Sequence, residues 1–203
     1  MRIDLRPETE ADYAAVEALT REAFWNVYRP GCFEHYLLHI LRESGGYLPG
    51  MHLVAEKEGE IVGSIVYSRS RVEKEDGKTI DTLTFGPISV HPKAQRQGIG
   101  SLLIRRSLDM ARQMGERAVI ITGSPDYYHR FGFRPAGDFG ITFPDRSSPP
   151  HLMALELYQD ALLGTGGVYR EDAAFGKLDS AAVEAFDSRY PYKEKLVLPG
   201  QLE

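Results

Sequence analysis

The feature that most constrains the fold is a change of hydrophobic period at Met51. From there to about residue 90, apolar and polar residues alternate, which is typical of strands with one buried face. Glu58-Gly59 predicts a tight turn that joins two strands into a hairpin, and the second strand ends near Asp76-Gly77. A further strand covers Thr79 to Val90 and is interrupted by Gly86-Pro87. Because proline has no amide hydrogen for a ladder, we expect a bulge there or a position at the sheet edge.

Helical patterns lie before and after this region. After a predicted short strand at residues 3–6, apolar residues recur at helical spacing from Tyr13 to Phe24 and again from Phe33 to Leu41. A longer amphipathic helix is expected from Gly98 to about Met114, because its apolar residues fall on one face. The next run, 118–122, lacks alternation, as a strand covered on both faces would.

The remaining signals complete the fold class. Ser124 and Pro125 predict the cap and the first residue of a short helix that stops at Gly132. Two more strands are expected around residues 139–143 and 152–158. Together these elements predict an α+β fold, with a mixed, mostly antiparallel central sheet flanked by helices and a βαβ insert.

The length of 203 residues fits one domain with an appendage. We expect a domain over residues 1–160 and a C-terminal extension over residues 161–203. The glycine-rich segment 164–167 is interpreted as a flexible joint. Beyond it, Asp179 or Ser180 is expected to cap a small helix that carries Val183 and Phe186.

The formal charge of −5 at pH 7 argues against a protein whose main partner is nucleic acid. The charge is unevenly distributed, because residues 91–117 carry six basic side chains and two acidic ones. A local excess of positive charge concentrates anionic ligands. We therefore expect no nucleic-acid partner, and we look for an anionic ligand near this segment.

Residue content excludes several classes of site. Cys32 is the only cysteine, so an intrachain disulfide and a multi-cysteine metal site are both impossible. His35 and His39 lie one helical turn apart without an obvious complete ligand set, and we expect no metal. No apolar stretch approaches the ~20 residues that a membrane helix needs, and the N-terminus has no signal-peptide pattern. We expect a cytoplasmic protein without a membrane partner.

The segment Gln95-Arg96-Gln97-Gly98-Ile99-Gly100 lies between a predicted strand and a predicted helix. Glycines let the backbone approach a ligand closely, and the first amides of a helix have no partner within the helix. With the helix dipole and nearby basic residues such as Lys93, this arrangement predicts a cradle for a pyrophosphate group. The spacing is not the dinucleotide pattern GxGxxG, because residue 103 is leucine, and no Gly-Lys-Ser/Thr of a P-loop follows.

The pattern Gln95-x-x-Gly98-x-Gly100 resembles the acetyl-CoA-binding signature of the GNAT N-acetyltransferase superfamily, written Arg/Gln-x-x-Gly-x-Gly/Ala. The segment Tyr127 to Phe133, YYHRFGF, is similar to that family's tyrosine-containing helix and its closing Gly-Phe. The order of elements also matches bacterial acetyltransferase-like members from about residue 1 to 158. The resemblance implies a GNAT-like fold with splayed central strands. It also implies an acyltransferase that moves an acetyl group from acetyl-CoA to a primary amine by direct attack in a ternary complex.

The resemblance further implies roles for individual residues. The main chain of Ile88 and Val90 would pair with the pantetheine arm, and Ser124 and Phe131 would add coenzyme contacts. Tyr128 aligns with the tyrosine that donates to the departing CoA sulfur, and a phenol of reference pKa ~10 can donate at neutral pH. The expected contacts of the loop and helix start are Gln95, Arg96, Gln97, Gly98, Ile99, Gly100 and Ser101.

The sequence specifies less clearly which residues bind the acceptor and take its proton. Thr84 stands where certain family members have a glutamate, and its hydroxyl cannot act as a base. Either water or one of four side chains would then take the proton of the amine, namely Asp81, Glu34, His35 or His91. Aromatic residues near the first helix–helix connection are either core or an apolar floor for the acceptor: Phe24, Trp25, Tyr28, Phe33 and Tyr36.

Two other functions are open on the sequence alone. The same cradle would suit a non-catalytic module that binds or senses acyl-CoA, or an enzyme for another phosphate or nucleotide ligand. The acceptor is expected to be a small-molecule or peptide amine. A homodimer is compatible with the sequence.

Overall fold

The region of alternating residues forms the centre of a nine-stranded sheet in the computed structural model, which describes residues 2–202. The strand order is β1-β2-β3-β4-β5-β8-β6, and β9 pairs with both β3 and β7. Pairing is antiparallel except between β4 and β5 and between β7 and β9. The strands are β1 Asp4–Pro7, β2 Leu53–Lys57, β3 Glu60–Glu73, β4 Thr79–Val90, β5 Ala118–Thr122, β6 Arg134–Pro135, β7 Ile141–Thr142, β8 Leu152–Glu156 and β9 Gly167–Arg170.

Helices cover both faces of this sheet. One face packs against α3 through a core that includes Leu103, Ile65 and Val119, and the other packs against α1 and α2 through Val16, Leu38 and Val66. None of the helices within residues 2–202 is long and apolar enough to cross a membrane. The helices are α1 Tyr13–Phe24, α2 Glu34–Leu41, α3 Ile99–Gln113, α4 Pro125–Tyr128 and α5 Ser180–Asp187.

Strand β4 has the predicted bounds and the predicted bulge. Ile88 pairs with Ile65 and Phe85 pairs with Tyr67, so two residues of β4, Gly86 and Pro87, lie opposite one residue of β3. The alternative position at the sheet edge is wrong, because β4 lies between β3 and β5. The bulge removes Pro87 from the ladder, so its missing N–H leaves no partner unpaired.

The C-terminal third differs from the sequence-based prediction. The segment interpreted as a flexible joint leads directly into β9, and the Gly167 N–H donates to the Gly140 carbonyl at 3.0 Å. The extension from residue 161 thus adds a strand to the same sheet. The strand expected around residues 139–143 shortens to β7, and β6 and β9 were not predicted. Strands of two to four residues are too short to establish a hydrophobic period.

Helix α5 confirms the predicted small helix. The Asp179 carboxylate accepts from the Ala182 N–H at 3.0 Å, and Val183 and Phe186 are buried. An ion pair ties the end of α5 to α1, because the buried Arg21 donates from Nε to an Asp187 carboxylate oxygen at 2.6 Å. Two further contacts join the extension to α1, since Lys193 donates to Glu22 at 2.8 Å and the Tyr190 hydroxyl donates to Glu17 at 3.3 Å.

His35 is buried beside that ion pair. Its Nδ1 lies 3.2 Å from the Cys32 sulfur, and its Nε2 lies 3.0 Å from Asp187 Oδ1. Burial lowers the pKa of His35 to about 4, since desolvation penalises the charged imidazolium more than the Asp187 carboxylate supports it. The folded state therefore holds His35 neutral, and the Cys32 pKa is raised to about 12 by the same burial.

We expect Asp187→Ala to destabilise the protein by ~3 kcal/mol, because it leaves the Arg21 guanidinium buried without its carboxylate. For a chain of this size the midpoint of thermal unfolding should fall by ~6–12 °C, which calorimetry measures. Asp109→Ala is the matched control, since Asp109 pairs with Arg112 at 3.0 Å on the exposed surface of α3. Equal, small shifts for both variants would contradict a structural role for the Arg21–Asp187 pair.

Candidate functional site

The loop between β4 and α3 curls so that its main chain faces outward. Gly98 caps α3 with φ +84°, a left-handed conformation that a side chain would strain, and Arg96 has φ +60°. Residues in left-handed conformations within such a loop turn successive N–H groups toward one point, which forms an anion-binding concavity. The side chains of Gln95 and Gln97 hold the loop closed by donating at 3.2 Å to the carbonyls of Val90 and Lys93.

The amides of this loop are unpaired. None of the main-chain N–H groups of residues 96–101 donates to another main-chain group within the described part of the chain. The helix ladder begins only at Leu102, whose N–H donates to the Gly98 carbonyl at 3.0 Å. The helix dipole adds partial positive charge at the same end of α3. This end of the helix can therefore bind an oxyanion without displacing any internal hydrogen bond.

A cleft of about 560 Å³ opens in front of these amides. It brings together most of the predicted coenzyme contacts, and it adds two residues that the sequence analysis did not assign to a ligand, Tyr127 and Arg130. The Arg130 guanidinium lies 4.7 Å from the centre of the Tyr127 ring. The sequence signal that could have indicated this pairing is the i, i+3 spacing of Tyr127 and Arg130, which places the two side chains on the same face of a helix. The predicted contacts that line the cleft are Ile88, Val90, Gln95, Arg96, Gly98, Ile99, Gly100 and Ser101.

Three of the predicted contacts lie elsewhere. Gln97 does not line the cleft, and its side chain points to Lys93. Phe131 is buried in the core, where its ring lies 5.6 Å from that of Tyr127. Ser124 lines a second, adjoining cavity. Direct coenzyme contacts by these three residues stay predictions.

The second cavity, of about 690 Å³, lies where β4 and β5 separate. The two strands pair at one position, Leu83 with Val119, and diverge beyond it. The bulged part of β4 forms one wall of the cavity, and Thr122 at the end of β5 forms another with the next two residues, Gly123 and Ser124. Ile88 and Tyr127 line both this cavity and the cleft, so the two spaces adjoin each other.

Tyr128 lines this cavity from α4. Its ring packs at 5.9 Å from Phe85 and 5.8 Å from Phe133, which fixes its plane. Burial, with smaller effects of Tyr127 and Tyr28, holds the pKa of Tyr128 well above its usual value. The side chain is therefore a neutral phenol at physiological pH, and no hydrogen bond contributes to that shift. Its proton is available to a bound molecule.

The remaining wall of the cavity comes from α1, α2 and the C-terminal extension. It contains one carboxylate, Glu34, among apolar and aromatic side chains, and no Lys or Arg lines the cavity within the described residues. Burial raises the pKa of Glu34, although Arg29 partly opposes this effect. We name this wall the acceptor wall, and its residues are Phe24, Tyr28, Glu34, Leu37, Phe175 and Leu202.

Of the four candidate bases, Glu34 alone lines the cavity. His35 is enclosed beside Cys32 and Asp187, and Asp81 is exposed on β4. His91 belongs to the loop, where its Nδ1 accepts from the Lys93 N–H at 3.2 Å. Thr84 stands on β4 where certain family members have a glutamate. It is buried, and its hydroxyl is hydrogen-bonded to the Tyr169 hydroxyl at 2.5 Å.

Of the five aromatic residues considered as a floor for the acceptor, two line the cavity and three do not. Phe24 and Tyr28 line the cavity. Trp25 instead donates from its indole N–H to the Glu194 carbonyl at 2.9 Å. The ring of Phe33 packs under Arg29, and that of Tyr36 packs against Phe186, so both are part of the helical layer.

Comparison with known proteins decides the family. A family model described as "Acetyltransferase (GNAT) domain" matches residues 4–136. The chain belongs to the GNAT acetyltransferase family. It is 29% identical over 175 residues to the uncharacterized N-acetyltransferase YhbS of Escherichia coli K12, covering 85% of this chain and 98% of YhbS. It is also 36% identical over 109 residues to YjhQ of the same strain, covering 53% of this chain and 60% of YjhQ.

Solved GNAT structures agree with this assignment. The crystal structure of E. coli YhbS in complex with CoA superposes with a TM-score of 0.77 at 28% identity, covering 88% of this chain and 94% of that one. A Brucella melitensis GNAT acetyltransferase in complex with acetyl-CoA gives a TM-score of 0.69 at 28% identity, covering 86% and 98%. The predicted GNAT fold is confirmed, and the protein is an acetyltransferase by family.

Within residues 2–202 no three His, Cys, Asp or Glu side chains come together to hold a metal ion. The polar groups that line the cleft and the cavity include the loop amides, the Arg130 guanidinium, the Tyr128 phenol, the Glu34 carboxylate and the His151 imidazole.

Gly123 determines where the Tyr128 ring can lie. A Cβ atom added to Gly123 would overlap the ring, at 2.7 Å from Cδ2. We expect Gly123→Ala to displace Tyr128 and to cost ~1–3 kcal/mol of stability through overpacking. A crystal structure of the variant and its thermal unfolding midpoint measure both effects. Gly50→Ala is the control, because nothing lies within 4 Å of its added Cβ. An unmoved Tyr128 ring in Gly123→Ala would contradict this account.

Proposed function

We propose that this GNAT protein transfers the acetyl group of acetyl-CoA to a primary amine by direct attack within a ternary complex. The observation that carries the proposal is that two spaces adjoin each other. The unpaired amides at the start of α3 open on a cleft, and Ile88 and Tyr127 line both that cleft and the cavity that holds Tyr128. A coenzyme with a diphosphate at one end and a thioester at the other fits this arrangement. The complexes of YhbS with CoA and of the Brucella relative with acetyl-CoA support it.

Each part of the coenzyme would contact a different group of residues. The diphosphate would accept hydrogen bonds from the amides of residues 96–101, with Arg130 beside them. The pantetheine arm would use the edge of β4 at Ile88 and Val90, which β5 leaves unpaired beyond Leu83. The thioester would then lie near the bulge at Gly86 and Pro87, in the cavity that Tyr128 lines.

Tyr128 would act as the acid for the leaving group. When the amine attacks the thioester carbonyl, collapse of the tetrahedral intermediate expels CoA as a thiolate. A phenol with a raised pKa stays protonated at physiological pH, so it can donate to the developing charge on sulfur. No bond to the enzyme forms in this scheme, because the amine attacks the acetyl carbon directly.

Tyr128→Phe tests this role. We expect kcat to fall about 10²-fold with an unchanged Kd for CoA, because the hydroxyl is needed only as charge develops on sulfur. Release of free CoA thiol measures turnover, and calorimetric titration measures binding. Tyr158→Phe is the control, since Tyr158 is half exposed and lines neither space. Unchanged turnover in Tyr128→Phe would remove the proposed role, and CoA binding without turnover of any amine would favour the sensing module.

Gly98→Asp tests the coenzyme cradle. The new carboxylate would repel the diphosphate, and a side chain at φ +84° would strain the loop. We expect CoA binding to weaken by about tenfold or more, or ~1.4 kcal/mol. Gly59→Asp is the matched control, because Gly59 has φ +83° in an open turn between β2 and β3. ATP and NAD should bind the native protein more weakly than CoA. Native-like CoA binding in Gly98→Asp, or preferred binding of ATP or NAD, would overturn the assignment.

A further inference from the structure

The side chains of the acceptor wall are chemically complementary to one particular kind of ligand. Its members Phe24, Leu37, Phe175 and Leu202 are apolar, and Tyr28 adds an aromatic ring. The Leu202 N–H donates to the Tyr28 carbonyl at 2.7 Å, which holds the end of the C-terminal extension against the wall. Phe175 comes from the same extension. Residues of the C-terminal extension therefore form part of this wall.

Among the described residues that line the cavity, Glu34 is the only one with a carboxylate side chain. One carboxylate oxygen accepts from the Phe33 N–H at 2.9 Å, and no Lys or Arg of residues 2–202 lines the same space. Main-chain N–H groups and the charge of Arg29 replace only part of the hydration that Glu34 loses on burial, since desolvation remains the largest effect on its pKa and raises it. A cationic ligand would restore that lost stabilisation at this one point.

We propose that the acceptor is a monoamine on an aromatic or aliphatic body without a carboxylate, and that Glu34 binds its ammonium group and takes its proton. This assignment rests on the proposed acetyl transfer. The apolar wall contacts the body of the acceptor. Its single carboxylate can pair with one positive charge, so the acceptor carries one ammonium group. The substrate class follows from those two features together.

Other amines fit this wall less well. The carboxylate of a free amino acid would face Glu34 with no Lys or Arg beside it among the lining residues. A polyamine would place its further ammonium groups against apolar side chains. Each mismatch leaves a charge among apolar side chains without a partner, which costs binding free energy.

The proton and electron balance of the reaction uses two side chains. The ammonium gives one proton to the Glu34 carboxylate, and the neutral nitrogen attacks the thioester carbonyl carbon. The C–N bond forms, the C–S bond breaks, and the Tyr128 proton passes to the departing thiolate. The nitrogen then loses one of its two remaining protons, which restores the Tyr128 phenol. Glu34 releases its proton to solvent, so the products are an acetamide, CoA thiol and one proton.

The first test is a panel of amines with the full chain and acetyl-CoA, followed by release of CoA thiol. The panel contains 2-phenylethylamine, hexylamine, spermidine, L-phenylalanine and Nα-acetyl-lysine. We expect kcat/KM for 2-phenylethylamine or hexylamine to exceed that for the other three by at least about tenfold. Preferred turnover of any of those three overturns the substrate assignment and leaves the proposed acetyl transfer standing. Binding of acetyl-CoA without turnover of any amine overturns both.

The second test is Glu34→Gln, with Glu43→Gln as the matched control. Glu43 is exposed near the end of α2 and does not line the cavity. We expect kcat/KM for the preferred amine to fall at least about tenfold in Glu34→Gln, while the Kd for CoA and the unfolding midpoint stay unchanged. Activity of Glu34→Gln equal to that of Glu43→Gln would overturn the role of Glu34.

A pH profile separates proton transfer from simple binding. The titratable or charged groups near Glu34 are Tyr28, Arg29, Cys32, Tyr128 and the cavity residue His151. We expect the acidic limb of kcat/KM to disappear in Glu34→Gln and to persist in His151→Asn. An acidic limb that survives in Glu34→Gln and disappears in His151→Asn would assign the proton acceptor to His151 and overturn this part of the inference.

Discussion

A single residue pair, Leu83 with Val119, joins β4 to β5 in the described chain, and both functional spaces depend on the separation beyond it. Paired strands would saturate the edge of β4 and close the cavity. Instead the bulge at Gly86 and Pro87 changes the register against β3. Because an unpaired strand edge carries free donors and acceptors, the site offers a ligand the same hydrogen bonds that a neighbouring strand would use.

The two ends of this separation have opposite electrostatic character. At one end the loop amides and Arg130 present partial and full positive charge to the cleft. At the other end Glu34 presents the lone carboxylate of an otherwise apolar wall. In the proposed function, an anionic coenzyme and a cationic acceptor would be drawn to these two different ends, and Tyr128 lines the cavity where they would meet. The net charge of the chain does not indicate this division, because it arises from local placement.

Much of this arrangement is contained in local sequence. The alternation ending at Val90, the Gly98 cap and the apolar run of β5 are local patterns, and they predict the strand, loop, helix and strand that carry the coenzyme side. The acceptor side could not be predicted in the same way. Glu34, His35 and Asp81 are equivalent as sequence features. Their separation into a cavity residue, a buried residue and an exposed residue results from how α2 and β4 pack against distant parts of the chain.

The buried contact among Arg21, His35 and Asp187 links the C-terminal extension to protonation. His35 has a folded pKa of about 4, below its reference value of ~6.5, so stability is present above pH ~6.5 and is lost as acid approaches pH ~4. Desolvation acts to raise the pKa of Asp187, but the hydrogen bond and charge of Arg21 and the other charges around it lower it overall, so its contribution to stability is also lost as the pH falls. Protonation of His35 would therefore destabilise the buried contact that holds the extension against α1 and α2, and with it the Phe175 and Leu202 side of the acceptor wall. With this side of the wall loosened, the amides at the start of α3 would still bind the diphosphate of the coenzyme, but the cavity would discriminate less among acceptors.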